Sequence, residues 1–170
     1  MLKSGEKKFI DETGIFYEQV GLPRAAGRIF MYLLIADQPV HSTHEIMQAL
    51  YLSKGSVHTT TRLLMQKKLI EKVEATETGQ ECYRIKPGVG KRIVEMQMPL
   101  LQAVIQLTTR SLELVEDTHA ADEPRMHDLH AFYRLVAQDL PAMLARWEQD
   151  CYDTSHSDAE MAENEADVDQ

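Results

Sequence analysis

A chain of 170 residues and 19.4 kDa, 44% hydrophobic and 26% charged, has the balance of a folded globular protein and excludes collagen-like, wholly disordered and membrane-embedded classes. The longest unbroken apolar run, Ile29 to Ala36, is far shorter than the roughly 20 residues a membrane span needs, and the opening Met1-Leu2-Lys3-Ser4-Gly5-Glu6 has no apolar signal core. Cys82 and Cys151 lie too far apart in sequence to read as a paired metal motif, and two cysteines make no disulfide framework, so a reducing cytoplasm is the expected compartment.

The net charge of −9 argues against a nucleic-acid partner when taken as an average. The average hides a polarity: residues 1–92 carry 14 Lys and Arg against 10 Asp and Glu, whereas residues 93–170 carry 4 against 17. A small acidic protein of this kind can still present one basic face to a polyanion. The last 18 residues, 153–170, hold seven acids and no Lys or Arg, and are expected to form a disordered acidic tail.

In chain order, Phe9, Ile10, Ile15, Phe16 and Val20 spread over one broad helical face between about Lys7 and Val20, and Gly21-Leu22-Pro23 ends that helix. A second helix follows Pro23, and its block Ile29 to Ala36 predicts burial nearly all round. Ser42-Thr43-His44-Glu45 has the form of a capping box and opens a short helix to about Leu52. Ser53 caps the next, with Val57, Thr60 or Thr61, and Leu64 at core spacing up to about Lys68. The period then drops to 2: residues 70–75 and 81–86 predict two strands, joined by 76–80 with its Gly79 as a hairpin.

From Gly90 a long helical region resumes, with Val94, Met98, Leu101, Ile105, Leu112 and Val115 on one face, a break in the pattern at Thr108 and a kink or restart at Pro99. A last helix begins near Asp122, and Met126, Leu129, Tyr133, Val136, Leu140, Met143 and Trp147 form a heptad stripe along it. This stripe can be buried in a hairpin of helices within one chain or between two chains. Dimerisation is favoured, because a two-fold protein doubles the contacts of a short reading helix.

The order of helices, capped helix, tight turn, second capped helix and hairpin is that of a winged helix-turn-helix, so the fold class is mainly α with a small β-hairpin wing and long C-terminal dimerisation helices. Residues 1–92 form the predicted DNA-binding domain with its N-terminal helix, 93–152 the helical dimerisation region, and 153–170 the tail. The exposed side of the second capped helix reads Ser53, Lys54, Gly55, Ser56, His58, Thr59 and Arg62. Hydroxyls and helix N-terminal amides suit phosphate, Lys54 and Arg62 suit guanine or phosphate, and Gly55 permits close approach. The plainer alternative is a solvated polar face.

The stretch Gly21-Leu22-Pro23-Arg24-Ala25-Ala26-Gly27-Arg28-Ile29, with Ser53-Lys54-Gly55-Ser56-Val57 and Thr61-Arg62-Leu63-Leu64, resembles the GbsR-like branch of the MarR superfamily of bacterial transcriptional regulators over roughly residues 8–95. The resemblance implies a cytoplasmic homodimer that binds a palindromic double-stranded operator, usually as a repressor, under small-molecule control. It further implies genes of osmoprotectant or stress response and an effector such as choline or glycine betaine. By position, Ser53, Lys54, Ser56, His58 and Arg62 match the family's DNA-reading helix. The wing departs from the family pattern: Glu77 and Gln80-Glu81-Cys82 stand where relatives carry a basic pair, so phosphate contact through Lys72 or Arg84 is expected there instead.

A quaternary-ammonium effector would need aromatic walls, and Phe30, Tyr32, Phe132, Tyr133 and Trp147 are the candidates, expected to meet between the DNA module and the dimerisation helices. Rings at helical spacing are otherwise core. An enzyme would have to use His119, His127, His130 and Asp128, but no His-Glu-x-x-His, phosphate-cradling glycine loop or nucleophile elbow is present, so no catalytic residue, metal or cofactor is assigned. Cys82 beside Glu81 lacks the electropositive surroundings of a redox thiol. The remaining alternative is a winged-helix protein-interaction adaptor that does not bind DNA.

Overall fold

The computed structural model describes residues 2–74, 81–116 and 123–168, so the hairpin loop with Glu77 and Gln80, and His119, lie outside the described residues. The chain separates into two compact units, Met1–Ile93 and Val94–Gln170. The first contains α1 (Ser4–Gln19), α2 (Arg24–Ile35), β1 (His41–Ser42), α3 (Thr43–Leu50), α4 (Lys54–Gln66), β2 (Ile70–Glu74) and β3 (Glu81–Ile85). A short helix, α5 (Val89–Glu95), runs into the second unit, which holds α6 (Met98–Glu116) and α7 (Glu123–Val168).

Helices α1 and α2 meet through glycine. A Cβ at Gly27 would come within 2.6 Å of the Thr13 carbonyl oxygen and 2.8 Å of the Tyr17 ring, so the two backbones are at their closest there. One turn away, a Cβ at Gly14 would meet only the flexible Cγ atoms of Arg28 and Arg24 at 2.8 and 2.9 Å and the Arg24 carbonyl at 3.1 Å. This close crossing buries Ile10, Ala26, Ile29, Phe30 and Leu33. It leaves Phe9, Ile15, Phe16 and Val20 exposed, so most of the broad apolar face read on α1 is not core of this unit. The Ile29–Ala36 block likewise differs from its expectation. Leu34 is 48% exposed and Met31, Ile35 and Ala36 are half-buried, because α1, α3, α4 and β3 leave one side of α2 uncovered.

Three helices end on a residue in the left-handed region: Gly21 (φ 80°) after α1, Tyr51 (φ 53°) after α3 and Lys68 (φ 60°) after α4. At each, the next amide reaches back five residues, Leu22 to Tyr17, Leu52 to Met47 and Leu69 to Leu64, satisfying carbonyls the helix leaves open. At the other end of α3, the Ser42 hydroxyl accepts the Glu45 amide (3.2 Å) while the Glu45 carboxylate accepts the Ser42 amide (2.7 Å), the reciprocal box read in the sequence.

The sheet has three antiparallel strands in the order β1-β3-β2. Ser42 pairs with Cys82 and Lys72 with Tyr83, and Cys82, Tyr83 and Ile70 turn into the core. The two-residue β1 was not foreseen in the sequence, since a strand that short has no periodicity.

In the second unit α6 and α7 pack as a hairpin of helices. Pro99 sits in the first turn of α6, where its missing amide costs nothing, so it marks a restart and not a kink. Thr108, the apparent break in the α6 stripe, is buried and in register with Leu112. Its hydroxyl lies 2.8 Å from Nδ1 of His130 on α7, and this pair fills the polar gap in an otherwise apolar seam. The heptad stripe of α7 is divided. Met126, Tyr133, Val136 and Leu140 are half-buried, whereas Leu129, Met143 and Trp147 stay exposed and Leu144, outside the stripe, is buried. The backbone of α7 runs as helix to Val168. No Gly or Pro follows Pro141 in that helix, and Ala, Glu and Met are good helix formers.

Gly27→Ala is expected to lower the unfolding free energy by about 1–3 kcal/mol, because the clash is with a backbone carbonyl. Gly14→Ala should cost less, since no backbone atom comes within 3.0 Å of its added Cβ. Urea denaturation of both variants followed by circular dichroism checks the order.

Candidate nucleic-acid interface

Val57, Thr60, Thr61 and Leu64 of α4 are buried against α2 and α3, which fixes the rotation of the helix about its axis. Lys54, Gly55, His58, Thr59 and Arg62 therefore fall together on the exposed face, with Ser56 half-buried beside them. No acid occurs anywhere in α4. Ser53 is the N-cap, its hydroxyl accepting the Ser56 amide at 3.2 Å, so its oxygen is already engaged in ending the helix. A Cβ at Gly55 would meet nothing within 4 Å, so the glycine leaves the start of the helix open to a partner of the main chain.

Between α3, α4 and β3 lies a groove of about 390 Å³, lined by Thr43, His44, Met47, Lys54, His58 and Glu81. Thr43, His44 and Met47 were not singled out from the sequence. The signal was present, however: with Ser42 as N-cap, the next two residues occupy the first turn of α3 beside the start of α4.

The two wing cations are arranged differently from the expectation. Lys72 Nζ lies 2.7 Å from Glu81 Oε1, and Arg84 Nε donates to Glu71 Oε1 at 2.7 Å across the register pair Glu71–Arg84. The Lys72 ammonium beside it holds the Glu81 carboxyl below its ordinary range, with further help from the Tyr83 hydroxyl and His58. Both cations are thus held by carboxylates of the same hairpin. Such exposed pairs are each worth about 0–1 kcal/mol, and salt weakens them.

The five aromatic candidates do not form a cage within either unit. Phe30 and Tyr32 are core residues of the first: Phe30 stacks on Tyr17 at 6.0 Å, and the Tyr32 hydroxyl lies 3.1 Å from His41 Nδ1. Phe132, Tyr133 and Trp147 all lie on α7 of the second, where Phe132 and Tyr133 meet edge to face at 5.7 Å. Fifteen residues of helix put Phe132 and Trp147 about 22 Å apart, too far to enclose one small cation. Cys82 is buried against the core. Among the described residues no group of three or more His, Cys, Asp and Glu is placed to hold a metal, and no helix is long and apolar enough to cross a membrane.

This arrangement of elements is a winged helix-turn-helix followed by a helical hairpin. Residues 20–81 match the model of the MarR family, and residues 88–150 match that of the MmpR5-like MarR family transcriptional regulators. The chain is 28% identical over 135 residues to the HTH-type transcriptional regulator MmpR5 of Mycobacterium tuberculosis, a match covering 78% of this chain and 82% of that protein. The crystal structure of a transcriptional regulator superposes with a TM-score of 0.64 at 22% identity, over 85% of this chain and 99% of that one, and shares its fold.

Glu81→Gln removes the carboxylate that holds Lys72. It is expected to tighten binding to a duplex about two- to fivefold and to raise the slope of log K against log salt by up to about 0.9, the increment for one more neutralised phosphate. Fluorescence anisotropy at several salt concentrations reads both quantities.

Proposed function

We propose that the chain is a DNA-binding transcriptional regulator of the MarR family that grips double-stranded DNA with the exposed face of α4. The observation that carries this reading is that face itself: Lys54, Gly55, His58, Thr59 and Arg62 lie side by side, with no acid in the helix, on an element whose opposite side is locked into the core. Arg62 suits bidentate contact with guanine, while Lys54 and the capped N-terminus suit phosphate. The wing, with its cations committed to Glu81 and Glu71, contributes backbone contacts through Lys72 or Arg84 only as phosphate displaces those carboxylates.

Operator reading as a homodimer is part of the same proposal. On α6, Leu100, Leu107 and Leu114 recur every seven residues and are all exposed, Leu107 by 69%. On α7, Leu129, Phe132, Leu135, Met143 and Trp147 are exposed as well. Large apolar side chains in such rows mark a surface that a partner covers, and a second copy supplies complementary rows. A two-fold dimer reads half-sites about 34 Å apart in a palindromic operator. Repression of osmoprotectant or stress genes, in the cytoplasm and under control of a quaternary-ammonium effector, is supported by the resemblance of residues 21–29 and 53–57 to GbsR-like proteins. The pairing of both wing cations keeps one second reading in play, a winged-helix adaptor that binds protein and not DNA.

Replacing Lys54 and Arg62 together by Ala separates the two readings. The regulator loses at least about a hundredfold in affinity for DNA drawn from upstream of its own gene, and its salt dependence becomes shallower; an adaptor's partner binding would be unchanged. Leu107→Glu, at an exposed position, is expected to leave the fold intact and convert a dimer to a monomer in sedimentation velocity.

A further inference from the structure

Arg28 leaves α2 on the side of α1, and Gly14 makes room for it: a Cβ at Gly14 would lie 2.8 Å from the Arg28 Cγ. The guanidinium beyond that stem ends against two partners. Its Nε lies 2.8 Å from Asp11 Oδ1 on α1, a close charge pair without the alignment of a hydrogen bond, and its Nη2 donates to the Leu50 carbonyl at 3.0 Å. Three helices, α1, α2 and α3, therefore meet at one side chain, which is only 21% exposed.

The Leu50 carbonyl stands at a decisive point. It closes α3, whose last carbonyls have no partner within the helix, and it begins the peptide plane that carries the Tyr51 amide. That amide donates back to the Met47 carbonyl, so the Leu50–Tyr51 plane is held at both ends, by α3 on one side and by Arg28 on the other. Tyr51 itself occupies the left-handed region (φ 53°), where a residue with a Cβ is strained, and its side chain is 83% exposed, so core packing gives nothing in return.

Two residues further on, Ser53 caps α4, its carbonyl accepting the Val57 amide at 3.0 Å. Burial of Val57, Thr61 and Leu64 fixes the rotation of α4 about its axis, whereas the turn fixes where its first residues, Lys54 among them, stand. The orientation of the Leu50–Tyr51 plane is the start of that turn.

We propose that Arg28 is a positioning residue for DNA recognition. It acts through the Leu50 carbonyl to place the first turn of α4, and Asp11 keeps its guanidinium in position. The pair gives α1, which carries none of the side chains assigned to DNA, a hold on the reading helix. The consequence for DNA rests on the regulator reading, whereas the hold on the turn does not.

The test uses the full chain in two arms. Without DNA, amide hydrogen exchange is followed by NMR in the wild type and in Arg28→Met, which keeps an unbranched, helix-forming stem. Exchange of the Tyr51, Leu52 and Val57 amides is expected to speed up at least about tenfold more than that of the Lys86 amide, which bonds to the Leu69 carbonyl at the sheet. Loss of stability throughout the unit would speed all four alike. With DNA from upstream of its own gene, Arg28→Met should weaken binding at least about fivefold while leaving the slope of log K against log salt unchanged, because the residue acts through Leu50 and not on phosphate. Asp11→Asn, at a half-exposed side chain, supplies the second variant. Removing an acid would by itself tighten binding to a polyanion, but here it should weaken it, and it should cause no weakening in the Arg28→Met background. Equal acceleration at Lys86, a flattened salt slope for Arg28→Met, or tighter binding by Asp11→Asn alone would overturn the proposal. Should the wild type bind no DNA, the regulator reading fails, and the exchange arm still decides whether Arg28 holds the turn.

Discussion

Ser42 is where the three parts of the first unit are joined. Its backbone pairs with Cys82 in the wing strand, its hydroxyl caps α3, and its amide holds Glu45. The neighbouring His41 adds the link to α2 through Tyr32. A helix cap and a buried hydrogen bond are each worth about 1 kcal/mol, so the junction is not a large store of stability. Its importance is geometric. With α3 tied to the sheet and α4 packed on α3, the exposed face of α4 and the hairpin hold a fixed relation to one another.

Charge within this frame is divided on two scales. Along the chain, the acids concentrate after residue 92, which leaves the first unit with a surplus of cations. Within the first unit, the wing neutralises its own cations while α4 carries Lys54 and Arg62 with no acid in the helix. Lys54 and Arg62 therefore put positive charge on the exposed face of α4. Glu6, Asp37 and Glu45 line a separate cavity beside α3.

The helical hairpin resolves its burial in a way the stripe on α7 did not predict. The seam with α6 takes Tyr133, Leu140 and Leu144 and accepts one polar pair, Thr108 with His130. Satisfying both polar groups on each other avoids the desolvation cost of leaving either alone. The apolar residues left over lie in long rows on both helices, too extensive for scattered surface side chains.

Local signals determined much of this protein. The capping box at Ser42, the cap at Ser53, the change of period after Leu69 and the core spacing of Val57, Thr61 and Leu64 are each contained in a few neighbouring residues. They placed the helices, the hairpin and the face of α4 in advance. Tertiary structure alone decided which apolar residues are covered, because coverage depends on elements distant in sequence. Phe9 and Leu34 were indistinguishable from Ile10 and Leu33 by type, and only the position of neighbouring elements separates them. The same holds for Lys72 and Arg84, free cations in one dimension and ion-paired once β2 and β3 align. It holds for the recess at Glu45 and Tyr51, whose walls come from three helices. Bonding and packing within one turn are written locally, whereas pairing and enclosure exist only where the chain returns to itself.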